Sequence, residues 1–256
     1  MSHRFVAFVA VLLALGGLPI AARPAPAFVI AAVNDAGRPD SDRQRDADRK
    51  PAAMLAFAGV KQGSTVVELV PGEGYYTRIL SKAIGPLGHL YAIAPAPRPD
   101  SPASTPDRTA AAKVIASQPG YLNVSVLVQI VQKLELPEHV DLVWTTQNYH
   151  DVHNARNIDM RRFNQSIYNA LKPGGIYLIS DHAAAPGSPD NVTSTLHRID
   201  PEEVKKEVLA AGFELEADSG LLKSPRDPHT EPVFDPSIRG KTDQFVLKFR
   251  KPAKAK

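Results

Sequence analysis

Short apolar runs alternate with stretches of helical spacing along most of this chain. Residues 66–70 form an apolar run holding one acid, Glu68. The turn Pro71-Gly72-Glu73-Gly74 follows, and Tyr76, Ile79, Leu80, Ala83 and Ile84 then recur at helical spacing. This pattern predicts a strand, a glycine turn and a helix. Apolar and β-branched runs at 89–94, 123–131, 140–145 and 176–181 predict four more strands. Between them, 105–118 reads as a helix with Thr105 as N-cap and Pro106 at its first position. A longer helix is predicted over 154–171. Another spans 201–211, with Asp200 as N-cap, Glu203 three residues on and Gly212 as the stop. The runs 213–219 and 244–250 close the pattern as an antiparallel pair. Strands alternating with helices imply an α/β fold, a Rossmann-like doubly wound sheet. Ligands of such sheets bind at the carboxyl ends of the strands.

The start of the chain does not follow this pattern. His3 and Arg4 precede an apolar run over 5–18, then small residues, with Ala25-Pro26-Ala27 as an A-x-A cleavage site and Ile20-Ala21-Ala22 as its rival. Residues 1–27 therefore read as a signal peptide. An uncleaved membrane anchor is the competing reading, although the run is shorter than the roughly 20 residues a spanning helix prefers. Residues 28–47 read as a linker or arm; 41–50 are dense in charge and predict a solvated face. The domain proper is 48–256, with a helix over 51–57 leading into the first strand. The location implied is periplasmic or secreted.

Composition narrows the function. The formal charge is +3, and Arg4 and Arg23 lie in the start segment, which leaves +1 for the rest. That balance carries no nucleic-acid footprint. With no cysteine there is no disulfide framework, thiolate nucleophile or cysteine zinc site.

The turn at 68–74 resembles motif I of class I S-adenosylmethionine-dependent methyltransferases, an acid followed by a glycine-rich turn. Asp141-Leu142-Val143-Trp144 resembles the fourth strand of that family, and Leu171-Lys172-Pro173-Gly174-Gly175 resembles its turn into strand five. The subgroup most similar is the predicted exported bacterial methyltransferases, whose ending is matched by Gly240-Lys241-Thr242-Asp243-Gln244-Phe245-Val246. The resemblance implies strand order 3-2-1-4-5-7-6 with strand 7 antiparallel, S-adenosylmethionine as cofactor and a small-molecule acceptor. It places Glu68, Gly72, Gly74, Tyr76, Ala94, Gln129 and Asn148 in the cofactor site. Three departures stand out: Val70 occupies the first glycine position, Ala94 the place of the ribose-binding acid, and strand three ends in Gln129 and Ile130 without a carboxylate.

After strand four comes Asn148-Tyr149-His150-Asp151-Val152-His153. His150 can serve as a general base, since imidazole titrates near neutrality, and Asp151 can orient it. A loop whose polar residues cap the next helix is the competing reading. His150 and His153 lack i, i+4 pairing, so no metal motif is assigned; metal-dependent hydrolysis at His150, Asp151, His153 and Asp181 is kept as a distinct reading. Arg198 is a surface arginine or an anion contact. The departures at Val70 and Ala94 keep one more reading open: a methyltransferase fold that no longer methylates and binds another ligand or a partner.

Overall fold

The computed structural model describes residues 24–97, 102, 104–155 and 158–253. The expected signal segment, residues 1–23 of it, lies outside them, as does part of the proline-rich loop after the second strand. Among the described residues no helix is long and apolar enough to cross a membrane.

Seven strands form one sheet in the order β3-β2-β1-β4-β5-β7-β6. They are β1 Thr65–Leu69, β2 His89–Pro95, β3 Val124–Gln129, β4 Val140–Thr146, β5 Leu171–His182, β6 Glu214–Ser219 and β7 Gln244–Arg250. The first five are parallel to one another, and β7 runs antiparallel to both β5 and β6. The helices are α1 Ala27–Val33, α2 Asp40–Arg43, α3 Asp46–Arg49, α4 Pro51–Ala58, α5 Tyr75–Ile84, α6 Ala110–Ala116, α7 Tyr149–Asn154, α8 Met160–Ala170, α9 Val192–Thr195 and α10 Pro201–Ala210.

The two faces of the sheet bury two cores, because successive strand residues point to opposite sides. Val66, Leu90, Leu142, Trp144 and Leu178 face α1, α4 and α5. Val67, Ile93, Val143, Tyr177 and Ile179 face the side of α8 and α10. β1 is buried along its whole length, which puts the acid Glu68 inside the protein.

The structure differs from the sequence reading at two helices. The one expected from Thr105 starts at Ala110 with Thr109 as N-cap; just ahead of it Asp107 Oδ1 accepts from Thr109 N at 2.8 Å and folds the chain into a turn. Of the long helix expected over 154–171 only α8, Met160–Ala170, forms, while α7 lies ahead of it over Tyr149–Asn154. Asp159 caps α8 by accepting from the N–H groups of Arg161 and Arg162, and Leu171 already belongs to β5.

The stretch read as a linker is folded onto the domain. Val29 and Ala32 pack into the core beside α5. Arg38 is 1% exposed and forms a bidentate pair with Asp46, 2.9 and 2.7 Å. Asp46 also accepts from Tyr75 OH at 2.6 Å, and Asp42 accepts from Arg78 at 2.9 Å. The charges of this arm are thus spent on the helix that follows the glycine turn.

Candidate active site

The site is built where β1, β4 and β5 end. Leaving β1, Val70 has φ of 53°, then Gly72 55° and Gly74 79°. Left-handed backbone is ordinary for glycine and a genuine outlier for a β-branched residue. The turn therefore keeps a glycine shape with valine in the first position, a local strain of the kind that clusters at ligand sites. The two glycines have different jobs. A Cβ on Gly74 would stand 2.1 Å from Ile115 Cδ1, so this glycine lets α6 approach. A Cβ on Gly72 would meet nothing within 4 Å, so the backbone there is open to a ligand.

Glu68 lies beneath the turn, 4% exposed, and accepts from Thr77 Oγ1 at 2.5 Å. Burial pushes its carboxyl up to about 8, against the pull of the Thr77 hydrogen bond and the charges of Arg49 and Arg78. Tyr76 stacks on Trp144 with ring centroids 4.8 Å apart. Arg49 of the arm lies over Tyr75, 4.7 Å from the ring centroid, and donates to Gln147 Oε1. Asn148 ties β1 to β4: its Nδ2 donates to Leu69 O at 3.1 Å and to Thr146 O at 3.0 Å, while its buried Oδ1 has no partner.

A shallow recess opens here, lined by Arg49, Tyr76, Gln147, Ser180, Leu222 and Gln244. Ser180 Oγ is buried on its wall without a partner. None of the lining residues but Tyr76 was singled out from sequence. Arg49 was hidden in a charge-dense run that reads as solvated, and the others carry no local signal.

Two other expected cofactor contacts are placed differently. Ala94 is buried within β2, and no carboxylate stands at that strand's end among the described residues. Gln129 ends β3, and its amide is spent on the backbone of Glu135, 3.1 and 3.3 Å.

His150 starts the next cluster, 3% exposed in α7. Its Nδ1 donates to Asp181 Oδ1 at 2.8 Å and its backbone N to Asp181 Oδ2 at 2.8 Å. The Nε2 faces Asp151 Oδ1 at 3.3 Å. Burial works to lower the imidazole, but the carboxylates of Asp181 and Asp151 outweigh it and push it up to about 10. This revises the expected base. The acid that orients His150 is Asp181, and between two carboxylates the ring holds its proton at neutral pH instead of offering a free lone pair. His153 is not part of the cluster; it bonds Glu207 at 3.0 Å, which Tyr149 OH also reaches at 2.7 Å. His182 sits beside Asp181 but bonds Thr242 at 2.7 Å, and burial lowers it to about 4. Arg198 is neither exposed nor an anion contact, since it is fully buried against Asp227.

This sheet order, with a glycine turn after β1 and a buried acid at its base, defines the class I methyltransferase fold. Residues 67–179 match the family described as a methyltransferase domain. The chain thus carries a methyltransferase domain on the class I fold, and S-adenosylmethionine is the cofactor of that class. Solved structures agree on the fold. An S-adenosylmethionine-dependent methyltransferase from Aquifex aeolicus is 20% identical with a TM-score of 0.59, over 84% of this chain and 98% of that one. The glycopeptide N-methyltransferase MtfA, solved with S-adenosylmethionine, is 15% identical with a TM-score of 0.53, over 81% of this chain and 87% of that one. The [4+2]-cyclase SpnF is 17% identical with a TM-score of 0.57, over 86% of both chains. No curated protein matches the sequence.

The side chains present fit the cofactor unevenly. The open turn at Gly72 and the unpartnered Asn148 Oδ1 and Ser180 Oγ suit its amino-acid end. The ribose end lacks the acid that strand two usually supplies. A missing hydrogen bond to a charged group costs about 1.5–3 kcal/mol.

Proposed function

We propose that this chain is an exported methyltransferase that moves a methyl group from S-adenosylmethionine to an oxygen or nitrogen of a small acceptor. The observation that carries the reading is the turn at 70–74, which keeps its left-handed shape even with valine in the first position and leaves Gly72 open. When bound, the cofactor supplies the electrophilic methyl group. Glu68 and the Gly72 turn would hold its amino-acid end, Tyr76 and Asn148 its flank. The acceptor would enter over the ends of β4 and β5. There His150, fixed by Asp181, presents a positive, hydrogen-bonding edge that would hold an acceptor arriving as an oxyanion, whose oxygen bonds the methyl carbon as the sulfonium leaves as a neutral thioether. Catalysis is then mainly positioning. A small acceptor is supported by a charge balance that offers no polyanion-binding stripe.

The test is calorimetric titration of S-adenosylmethionine and S-adenosylhomocysteine into the full chain, after unfolding and refolding to strip carried-over ligand. Micromolar binding is expected. Gly72→Ala should weaken it by about tenfold or more while the protein stays folded, because the new methyl meets only ligand and the left-handed backbone costs about 1 kcal/mol. Absence of heat and of any thermal shift at millimolar ligand would overturn the reading in favour of a fold that holds another ligand or a partner.

Export rests on the basic, apolar and small-residue order of the start segment. Ala27 is the first residue of α1, whose Val29 and Ala32 are core. Cleavage after Ala27 would cut into the folded arm, so a mature chain beginning at Arg23 is expected. Intact-mass measurement on protein recovered from the periplasm decides it; a chain still carrying its first 22 residues would speak for an anchor.

A further inference from the structure

His150, Asp151 and His197 meet although the last comes from a distant loop. They are the one group of three such side chains among the described residues whose donor atoms all lie within 4.8 Å of one another. We propose that they bind a divalent transition-metal ion, of which zinc is the representative, at the acceptor side of the sheet edge.

The distances suit ligands of one ion better than partners of each other. Asp151 Oδ1 lies 3.3 Å from His150 Nε2 and 3.6 Å from His197 Nδ1. A charge-assisted N–H to carboxylate bond closes to about 2.7–2.9 Å, and 3.6 Å is no hydrogen bond at all. Two donors bound to one tetrahedral zinc at about 2.0–2.1 Å stand roughly 3.3 Å apart. His197 Nδ1 is buried and lacks any hydrogen-bond partner, an expensive state for a polar atom unless something fills the gap. His197 also holds a left-handed backbone, φ 54°, and its ring rests on Phe234 with centroids 4.8 Å apart. That is local strain and packing directed at aiming one imidazole.

The supporting shell is present as well. His150 donates its Nδ1–H to the buried carboxylate of Asp181, which leaves Nε2 as the ligand nitrogen. A carboxylate behind a ligating histidine fixes its tautomer and raises its basicity. Binding an ion at Nε2 releases any proton held there, so affinity rises with pH. Two histidines and one carboxylate leave coordination positions open, the pattern of catalytic rather than structural sites. The ion site stands by itself; its use in gripping an acceptor oxygen rests on the methyltransferase reading.

The experiment takes the full chain without a histidine tag, stripped with a chelator, and titrates Zn²⁺ alone by calorimetry, with Co²⁺ absorption as the spectroscopic check. One ion per chain is expected. His197→Ala and Asp151→Asn should each weaken binding by about 100-fold or more, at least the upper end of what losing an outer partner costs. His139→Ala, an exposed histidine elsewhere, should leave it unchanged. Asp151 is exposed, so its variant keeps the fold even if His197→Ala does not, and unfolding of the metal-free variants verifies this. Substoichiometric binding, or equal binding by wild type and both variants, would overturn the site and place any ion elsewhere, such as at His3. S-adenosylmethionine affinity measured on the same preparations separates the two claims: cofactor binding without an ion sinks only the metal site, and an ion without cofactor binding sinks only the methyltransferase reading.

Discussion

Replacing Arg198 with alanine is expected to destabilise the protein by about 3–5 kcal/mol, the cost of leaving one member of a buried ion pair alone. Arg198 and Asp227 are both fully buried and meet through two bonds of 2.9 Å. The guanidinium also donates to Ala183 O at 2.9 Å and Glu231 O at 3.1 Å, so it joins the end of β5 to two loops. Asp227 in turn accepts from the N–H groups of Asp243 and His229, at 2.6 and 3.0 Å. Removing the cation strands a carboxylate in the interior and loosens the 220–243 segment together. In a chain of this size such a loss lowers the unfolding temperature by about 10 °C or more. The double variant Arg198→Ala with Asp227→Ala should recover only part of it, because the N–H groups of Asp243 and His229 would then lack an acceptor. Thermal unfolding of the three variants against wild type reads this directly. A shift under about 2 °C for Arg198→Ala would show that water reaches the pair. Cofactor affinity should fall with it, since Leu222 and Gln244 at the edges of this segment line the recess.

The same residue marks the limit of what the sequence makes legible. The sheet could be read ahead because its signals are local: apolar runs of strand length, a glycine turn, and Lys172-Pro173-Gly174-Gly175 at the start of β5. The class followed from those motifs in order. Arg198 sits between a histidine and an apolar residue in a loop, and nothing near it announces that Asp227 will close over it. His197 escaped for the same reason, since a metal motif is sought at fixed spacing and this ligand arrives from another loop. The arm escaped for a different one. Its attachment runs through Arg38, Asp42, Asp46 and Arg49, and a run of charges looks solvated until its partners on α5 are known. Burial was likewise invisible at Glu68 and His150. Glu68 was chosen as a chemical group from its place at the end of a strand and His150 from its place after one, but the values at which they titrate come from depth and neighbours, which the motif does not encode.

Glu68→Gln is expected to make the ligand-free protein more stable at alkaline pH and less able to bind its cofactor. The buried carboxyl titrates near 8 in the folded chain against about 4.5 as the ordinary value. Its folded value is raised, so the stability it contributes is fully present below about 4.5 and is lost as pH climbs to 8 and stays lost beyond. At roughly 1.4 kcal/mol for each tenfold in proton activity, the loss reaches about 4–5 kcal/mol. Glutamine keeps a neutral group of the same shape and has nothing to ionise. Wild type and variant should therefore unfold alike near pH 4.5, with the variant pulling ahead by pH 8–9, as denaturant titrations across that range would record. Parallel curves would mean that Glu68 is already ionised and paired at neutrality. The cofactor reverses the preference. An ammonium group held at this turn favours the carboxylate, so binding near pH 7 should drive a proton off Glu68. Calorimetry in two buffers of different ionisation enthalpy measures that proton. In Glu68→Gln the release should vanish and affinity fall by about tenfold or more. Stability gained and binding lost on one substitution is the signature of an acid buried for its ligand and not for the fold.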